Sequence, residues 1–281
     1  MMISESNDTK ASVTPHVAWR DWLSSSALPL WSGAGFDPKR RLYHERLTWE
    51  GTPMPMSALR LMVQARQVAT FCRAALDGVY DASQEALQCL DKLERLYYQR
   101  DSQPGWIFSL APNDAPASST RDLYAHAFIL FAYGWAIRLT GEPRYRLIAR
   151  RTAEEIGVIF AAENGGYQDA VPPSDVLRRQ NPHMHLLESY LVLFDATGDD
   201  FYLTQARALV RLALDHLVDA RSGLLLEFFD ARWLPLKAPG QNRVEPGHLF
   251  EWAWLLHEYE RLASPDASEA ALLKETTERL F

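Results

Sequence analysis

Apolar residues recur along this chain at three- and four-residue spacing, the period of helices that bury one face. The pattern predicts helices over Trp19–Leu28, Met56–Asp77, Ser83–Gln99, Arg121–Thr140, Arg144–Phe160, His183–Thr197, Asp200–Leu217 and Gly247–Ala263, with a last one from Ala267 to the chain end. Thr140-Gly141 and Thr197-Gly198 put glycine where a helix C-terminus needs a left-handed residue. Pro143 and Pro182 stand near helix starts, where a missing N–H does no harm. Short Gly-aromatic stretches lie between helices: GWIFSL from Gly105, GGYQDA from Gly165 and GLLLEFFD from Gly223. They alternate too briefly for a large sheet and read as hairpins or extended turns. The expected class is all-α.

Lining up the helices exposes a repeat. Thr140-Gly141-Glu142 is followed by Tyr145, and 57 residues on Thr197-Gly198-Asp199 is followed by Tyr202. His126 lies 14 residues before Thr140, His183 lies 14 before Thr197, and His248 lies 14 before Leu262. A unit of this length is a helix pair plus a loop. Such pairs cannot bury their apolar faces alone, so they stack into an open solenoid or close into an α/α barrel. In a barrel the inner helices begin at one rim. The three histidines are then expected at one mouth, beside Glu188 and Glu251.

Composition narrows the chemistry. The 281 residues can form one large domain with a substantial core. A net charge of -7 argues against nucleic acid, which needs a basic footprint. The 9 Trp, 11 Tyr and 12 Phe permit stacking on sugar C–H faces, although most aromatic residues serve the core; Trp31, Trp49, Trp106 and Tyr124 are the stacking candidates. Cys72 and Cys89 form no disulfide framework and read as buried small residues in a reducing compartment. The polar start lacks the basic and apolar segments of a signal peptide, and no stretch reaches membrane length, so the expected location is cytoplasmic. There is no GxGxxG, P-loop, GxSxG or HExxH. Paired-carboxylate glycosidase chemistry stays open, because α/α barrels host it too.

Three segments carry candidate chemistry. In Glu245-Pro246-Gly247-His248-Leu249-Phe250-Glu251, Pro-Gly forces a turn and His248 opens a helix. The helix dipole there favours the neutral imidazole that a general base needs. Glu251, one turn on, can orient the ring, carry a proton or complete a capping arrangement. In Asn181-Pro182-His183-Met184-His185, the two histidines diverge on a helix, and Glu188 can orient His185. No further ligands stand nearby, so no metal is expected. On the apolar helix RLMVQARQ, Arg60 or Arg66 must be paired or face a polar cavity.

Together RLMVQARQV at Arg60, DLYAHAF at Asp122, NPHMHLLESY at Asn181 and EPGHLFEWAWLL at Glu245 resemble the N-acylglucosamine 2-epimerase superfamily, nearest its mannose-isomerase branch. The resemblance runs from about Trp19 to the end. It implies an (α/α)6 barrel and proton abstraction beside a sugar carbonyl through a cis-enediol. On that resemblance His248, His185 and Glu251 are catalytic. Arg60, Asn181, Tyr124, His126 and Glu188 are substrate-binding or border the cavity. The implied activity is aldose–ketose isomerisation of the mannose/fructose type. A 2-epimerase, or a catalytically impaired carbohydrate-binding remnant, is the alternative. No cofactor is required. The expected partner is a small-molecule sugar, with no nucleic acid or membrane, and a homodimer is compatible with the class. The expected layout is a polar tail over residues 1–18 and one barrel domain over 19–281, lacking its last helices. Members carry a second acid/base histidine on a late helix, and here no His follows His257.

Overall fold

A computed structural model describes residues 15–236 and 241–281; most of the expected polar tail lies outside them. The described residues open with α1 (Pro15–Trp22), a π-helical turn over Leu23–Ala27, and α2 (Leu28–Ser32). Four antiparallel helix hairpins follow: α3 (Leu61–Leu76) with α4 (Ser83–Tyr97), α5 (Leu123–Thr140) with α6 (Pro143–Ile159), α7 (Gln180–Thr197) with α8 (Asp200–Leu212), and α9 (Pro246–Ala263) with α10 (Ala267–Leu280). The odd-numbered helices form the inner layer, with α3 packed on α5, α5 on α7 and α7 on α9. This is the α/α barrel arrangement, one of the two that the repeat allows.

The inner helices differ from their partners in composition. On α5, thirteen residues from Leu123 to Ile137 are buried, including Leu130, Tyr133 and Trp135. A helix that is apolar all round belongs inside. Outer α4 and α8 instead bury one face, through Leu90 and Leu93 on α4 and Ala206 and Val210 on α8. Gly141 and Gly198 close α5 and α7 at φ 70° and 68°, the left-handed geometry that glycine adopts without steric cost. Cys72 and Cys89 are buried and unpaired. Burial pushes the Cys72 thiol up to about 12, so both behave as small apolar groups.

Short strands of two or three residues lie between the helices, three of them at the ends of the Gly-aromatic stretches. They pair antiparallel as β1 (Phe36–Asp37) with β2 (Leu42–Tyr43), β3 (Leu59–Arg60) with β4 (Ser109–Leu110), β4 with β5 (Pro116–Ser118), β6 (Arg121–Asp122) with β7 (Ala170–Val171), and β8 (Arg178–Arg179) with β9 (Phe228–Phe229). Each later hairpin returns to an earlier helix start: Leu61, Leu123 and Gln180 donate their N–H to the carbonyls of Phe108, Asp169 and Glu227. The strands stitch the repeats together at one end of the barrel.

Several helix boundaries differ from expectation: the helix expected over Trp19–Leu28 starts at Pro15 and is interrupted by the π-helical turn, and the one expected from His183 starts at Gln180. Residues from Met56 to Arg60 are not helical, because β3 occupies Leu59–Arg60 and α3 starts at Leu61. The helix expected to reach Leu217 turns π-helical from Ala213. Among the described residues no helix is long and apolar enough to cross a membrane.

Candidate active site

The four inner helices have N-caps at Arg60, Asp122, Arg179 and Glu245. Counting from these caps orders the site. The sixth residue after each cap is Arg66, Phe128, His185 or Glu251. All four line one cavity of about 750 Å³. Tyr124, Asn181, Glu188 and His248 line it as well. Six of the eight expected site residues thus share one cavity: His248, His185, Glu251, Asn181, Tyr124 and Glu188.

His126 does not. It sits four residues after its cap, fully buried, with His183 and Gln64 at the same position of their helices. His126 Nδ1 donates to the Asp122 carbonyl at 2.8 Å, and Nε2 accepts the Trp106 N–H at 3.1 Å. His183 repeats this, with Nδ1 on the Arg179 carbonyl at 2.8 Å and Nε2 taking the Tyr167 N–H at 3.0 Å. Gln64 holds both backbone groups of Tyr43, at 2.7 and 2.8 Å. These side chains staple the Gly-aromatic strands to the inner-helix starts. Burial pushes both histidines down to about 4 and keeps them neutral. The expectation of three histidines in register is therefore corrected. Leu249 holds the equivalent position in α9, and His248 lies one residue earlier, turned toward the cavity. Counting back from Leu262 misled because α9 continues to Ala263 and is capped by Ser264.

Arg60 also lies apart from the cavity lining. Its guanidinium donates to Glu45 Oε2 through Nε at 3.1 Å and Nη2 at 3.0 Å. Glu45 is buried, so this cation neutralises a carboxylate at the barrel end. Arg66 is the arginine in the cavity. It donates to the Tyr124 hydroxyl at 3.1 Å and lies over the Phe128 ring at 4.6 Å. Among the described residues it has no carboxylate within ion-pair distance. Its remaining donors face the cavity.

At the centre His185 Nδ1 stands 3.2 Å from Glu188 Oε2 and 3.5 Å from Glu251 Oε1. The ring packs on Tyr124 and Phe128, with centroids at 5.0 and 4.6 Å. Burial raises the Glu251 carboxyl, and neighbouring Glu188 adds to this, while His185, His248 and Arg66 oppose it. Glu251 therefore holds a proton to higher pH than an ordinary carboxyl, as an acid in a proton relay must. Burial likewise raises the Tyr124 hydroxyl. His185, Glu188 and Glu251 are also the group, among the described residues, whose ligand atoms lie within 4.8 Å of one another, close enough for a cation. The His185–Glu188 hydrogen bond and the nearby Glu251 carboxyl suit proton exchange equally.

His248 faces the same cavity and is held from behind. Its Nδ1 lies 2.8 Å from Glu227 Oε1 and 2.8 Å from Gln180 Nε2. Sequence reasoning missed both partners. The available signal was a single carboxylate within the apolar run Leu224-Leu225-Leu226-Glu227-Phe228-Phe229.

A cavity ringed by one face of four inner helices, with two histidines and two glutamates at its mouth, agrees with the resemblance in the sequence. The family model for N-acylglucosamine 2-epimerase (GlcNAc 2-epimerase) matches residues 43–281. The chain belongs to the N-acylglucosamine 2-epimerase family. It is 34% identical over 244 residues to the mannose-6-phosphate isomerase of Rhizobium meliloti (strain 1021), covering 84% of this chain and 61% of that protein. It is 28% identical over 268 residues to the D-mannose isomerase of Thermobifida fusca, covering 90% of this chain and 65% of that one. The fold is that of the cellobiose 2-epimerase of Bacillus thermoamylovorans B4167, with a TM-score of 0.80 at 19% identity over 94% of this chain and 71% of that one. The chain thus spans less than two thirds of the length of these two sequence relatives.

Proposed function

We propose that this chain is an aldose–ketose isomerase of the mannose/fructose type, acting on the open-chain sugar through a cis-enediol. The observation that carries the reading is one cavity presenting a histidine base, His248, beside a buried acid–imidazole group, Glu251 with His185 and Glu188. Abstraction of a proton beside a carbonyl needs a base at carbon and an acid at oxygen, both within reach of one substrate. In the proposed step His248 removes the C2 proton and the C–H electrons form the C1=C2 bond. The carbonyl oxygen at C1 takes a proton from the Glu251–His185 group. The O2 proton then returns to that group as His248 delivers its proton to C1, giving the ketose. Arg66, Tyr124 and Asn181 supply hydrogen bonds for sugar hydroxyls.

A second reading, a 2-epimerase, is favoured by the fold shared with a cellobiose 2-epimerase. It requires proton return to the opposite face of C2. Mannose in heavy water separates the two: deuterium in fructose marks an isomerase, and deuterium at C2 of glucose marks an epimerase. A folded chain that exchanges no sugar proton contradicts both.

A further inference from the structure

We propose that Glu227, held by Gln180, is a positioning residue that fixes the proton of His248 on Nδ1 and leaves Nε2 as the base. This rests on the reading of His248 as a base given above. Two observations independent of the sequence motifs lead to it.

The first is where the repeat breaks its own pattern. The first residue of α3, α5 and α7 donates its N–H to a carbonyl of the hairpin behind it. In α3 and α5 that residue is a buried leucine, Leu61 or Leu123. In α7 it is Gln180, with no exposed surface. The hairpin residue it meets is Phe108 in one repeat. In the next it is Asp169, whose carboxylate is neutralised by Arg179 at 2.7 Å. In the third it is Glu227, only 5% exposed and, among the described residues, with no arginine or lysine partner. A buried carboxylate and a buried amide replacing apolar packing are costly unless their hydrogen bonds are satisfied. The group they enclose is His248.

The second is the direction of those bonds. The Trp252 indole N–H donates to Gln180 Oε1 at 2.7 Å, which fixes the orientation of the amide. Gln180 Nε2 therefore faces Glu227 and donates to its two oxygens at 3.0 and 3.1 Å. His248 Nδ1 lies 2.8 Å from Glu227 Oε1. Gln180 Nε2 also stands 2.8 Å from Nδ1, but its hydrogens are directed at the two Glu227 oxygens, and a bare Nδ1 would set its lone pair against an anionic oxygen at the same 2.8 Å. A protonated Nδ1 gives the carboxylate a second donor, so the charge selects Nδ1–H. The Glu227 backbone is held in place. It lies beside β9, where Asn242 Oδ1 accepts the N–H groups of Glu227 and Phe228 at 3.2 Å, and Asn242 Nδ2 donates to the Phe228 carbonyl at 2.9 Å. With the proton held behind the ring, the Nε2 lone pair remains for the sugar C–H. This is the logic by which a buried carboxylate selects the tautomer of a catalytic histidine.

The experiment is nitrogen NMR of the chain labelled with ¹⁵N-histidine, with the His248 signals assigned by their loss in His248→Gln. The expected spectrum shows His248 protonated on Nδ1 near neutral pH, and in Glu227→Gln that state is lost or mixed. Wild-type His248 protonated on Nε2 would overturn the proposal, whether or not the variant folds. So would an unchanged tautomer in a folded Glu227→Gln. With sugar turnover as a second readout, Glu227→Gln is expected to lower kcat roughly 10²–10⁴-fold with KM changed only a few-fold. The expected tautomer in a chain that turns over no sugar leaves this proposal standing and removes the isomerase reading. Full turnover by Glu227→Gln does the reverse.

Discussion

Acidification should unfold this protein through two histidines that take no part in the proposed chemistry. His126 and His183 are fully buried and accept a backbone N–H at Nε2, so a proton there would set N–H against N–H. Both are pushed from 6.5 down to about 4 by burial. The unfolded chain takes these protons near pH 6.5 and the folded chain only near 4. Stability is therefore fully present above about pH 6.5 and is lost as pH falls toward 4. At about 1.4 kcal/mol per pH unit, each histidine accounts for roughly 3 kcal/mol across that window. Between pH 7 and 5.5 the two together should lower the unfolding free energy by roughly 2–3 kcal/mol. Asp122 and Asp169, raised by burial, oppose the trend at its acid end. Urea unfolding at a series of pH values measures this directly, with histidine C–H resonances reporting the titrations. Replacing His183 by Gln should flatten the pH slope by about half, whatever it does to stability at neutral pH. An unfolding free energy constant from pH 7 to 5.5, or ring signals of His126 and His183 titrating near 6.5, would refute the staple argument.

The two arginines of RLMVQARQ should separate cleanly. Arg60→Met strands the buried Glu45 carboxylate and should cost about 2–3 kcal/mol, less than for a fully buried pair because the Arg60 side chain is 39% exposed; a thermal melt reads it. Arg66→Met should leave the melt nearly unchanged and raise KM for the sugar, since Arg66 faces the cavity. Glu251→Gln should lower kcat by about 10²-fold with little change in stability, as expected for loss of a proton carrier. In the wild type, the raised Glu251 carboxyl should hold the acid role to higher pH than an ordinary glutamate, so a pH–rate profile whose alkaline limb begins near 4.5 would contradict it.

Much of the fold was legible because helix pairs repeat their punctuation. Thr140-Gly141 and Thr197-Gly198 announce two helix ends in the sequence itself. The third repeat ends at Ser264 with φ 47°, a left-handed residue without a glycine signature, and there the register slipped by one. That slip grouped His248 with two structural histidines. The cavity positions were not visible as a spacing because Arg66, Phe128, His185 and Glu251, all six residues after their caps, share no side-chain type. Arg60 and Arg66 could not be told apart in sequence because the deciding partner, Glu45, comes from a loop preceding the helix. Glu227 and Gln180 reach His248 only through the pairing of β8 with β9, a contact between segments far apart in the chain.

The central claim is that His248 moves a proton beside a sugar carbonyl. Mannose incubated with the purified chain in heavy water, followed by proton and deuterium NMR, tests it most directly. The account predicts loss of the C2–H signal together with the appearance of fructose, both abolished in a folded His248→Ala. Retention of the C2 proton by a folded wild-type chain, or exchange that persists in His248→Ala, would contradict it.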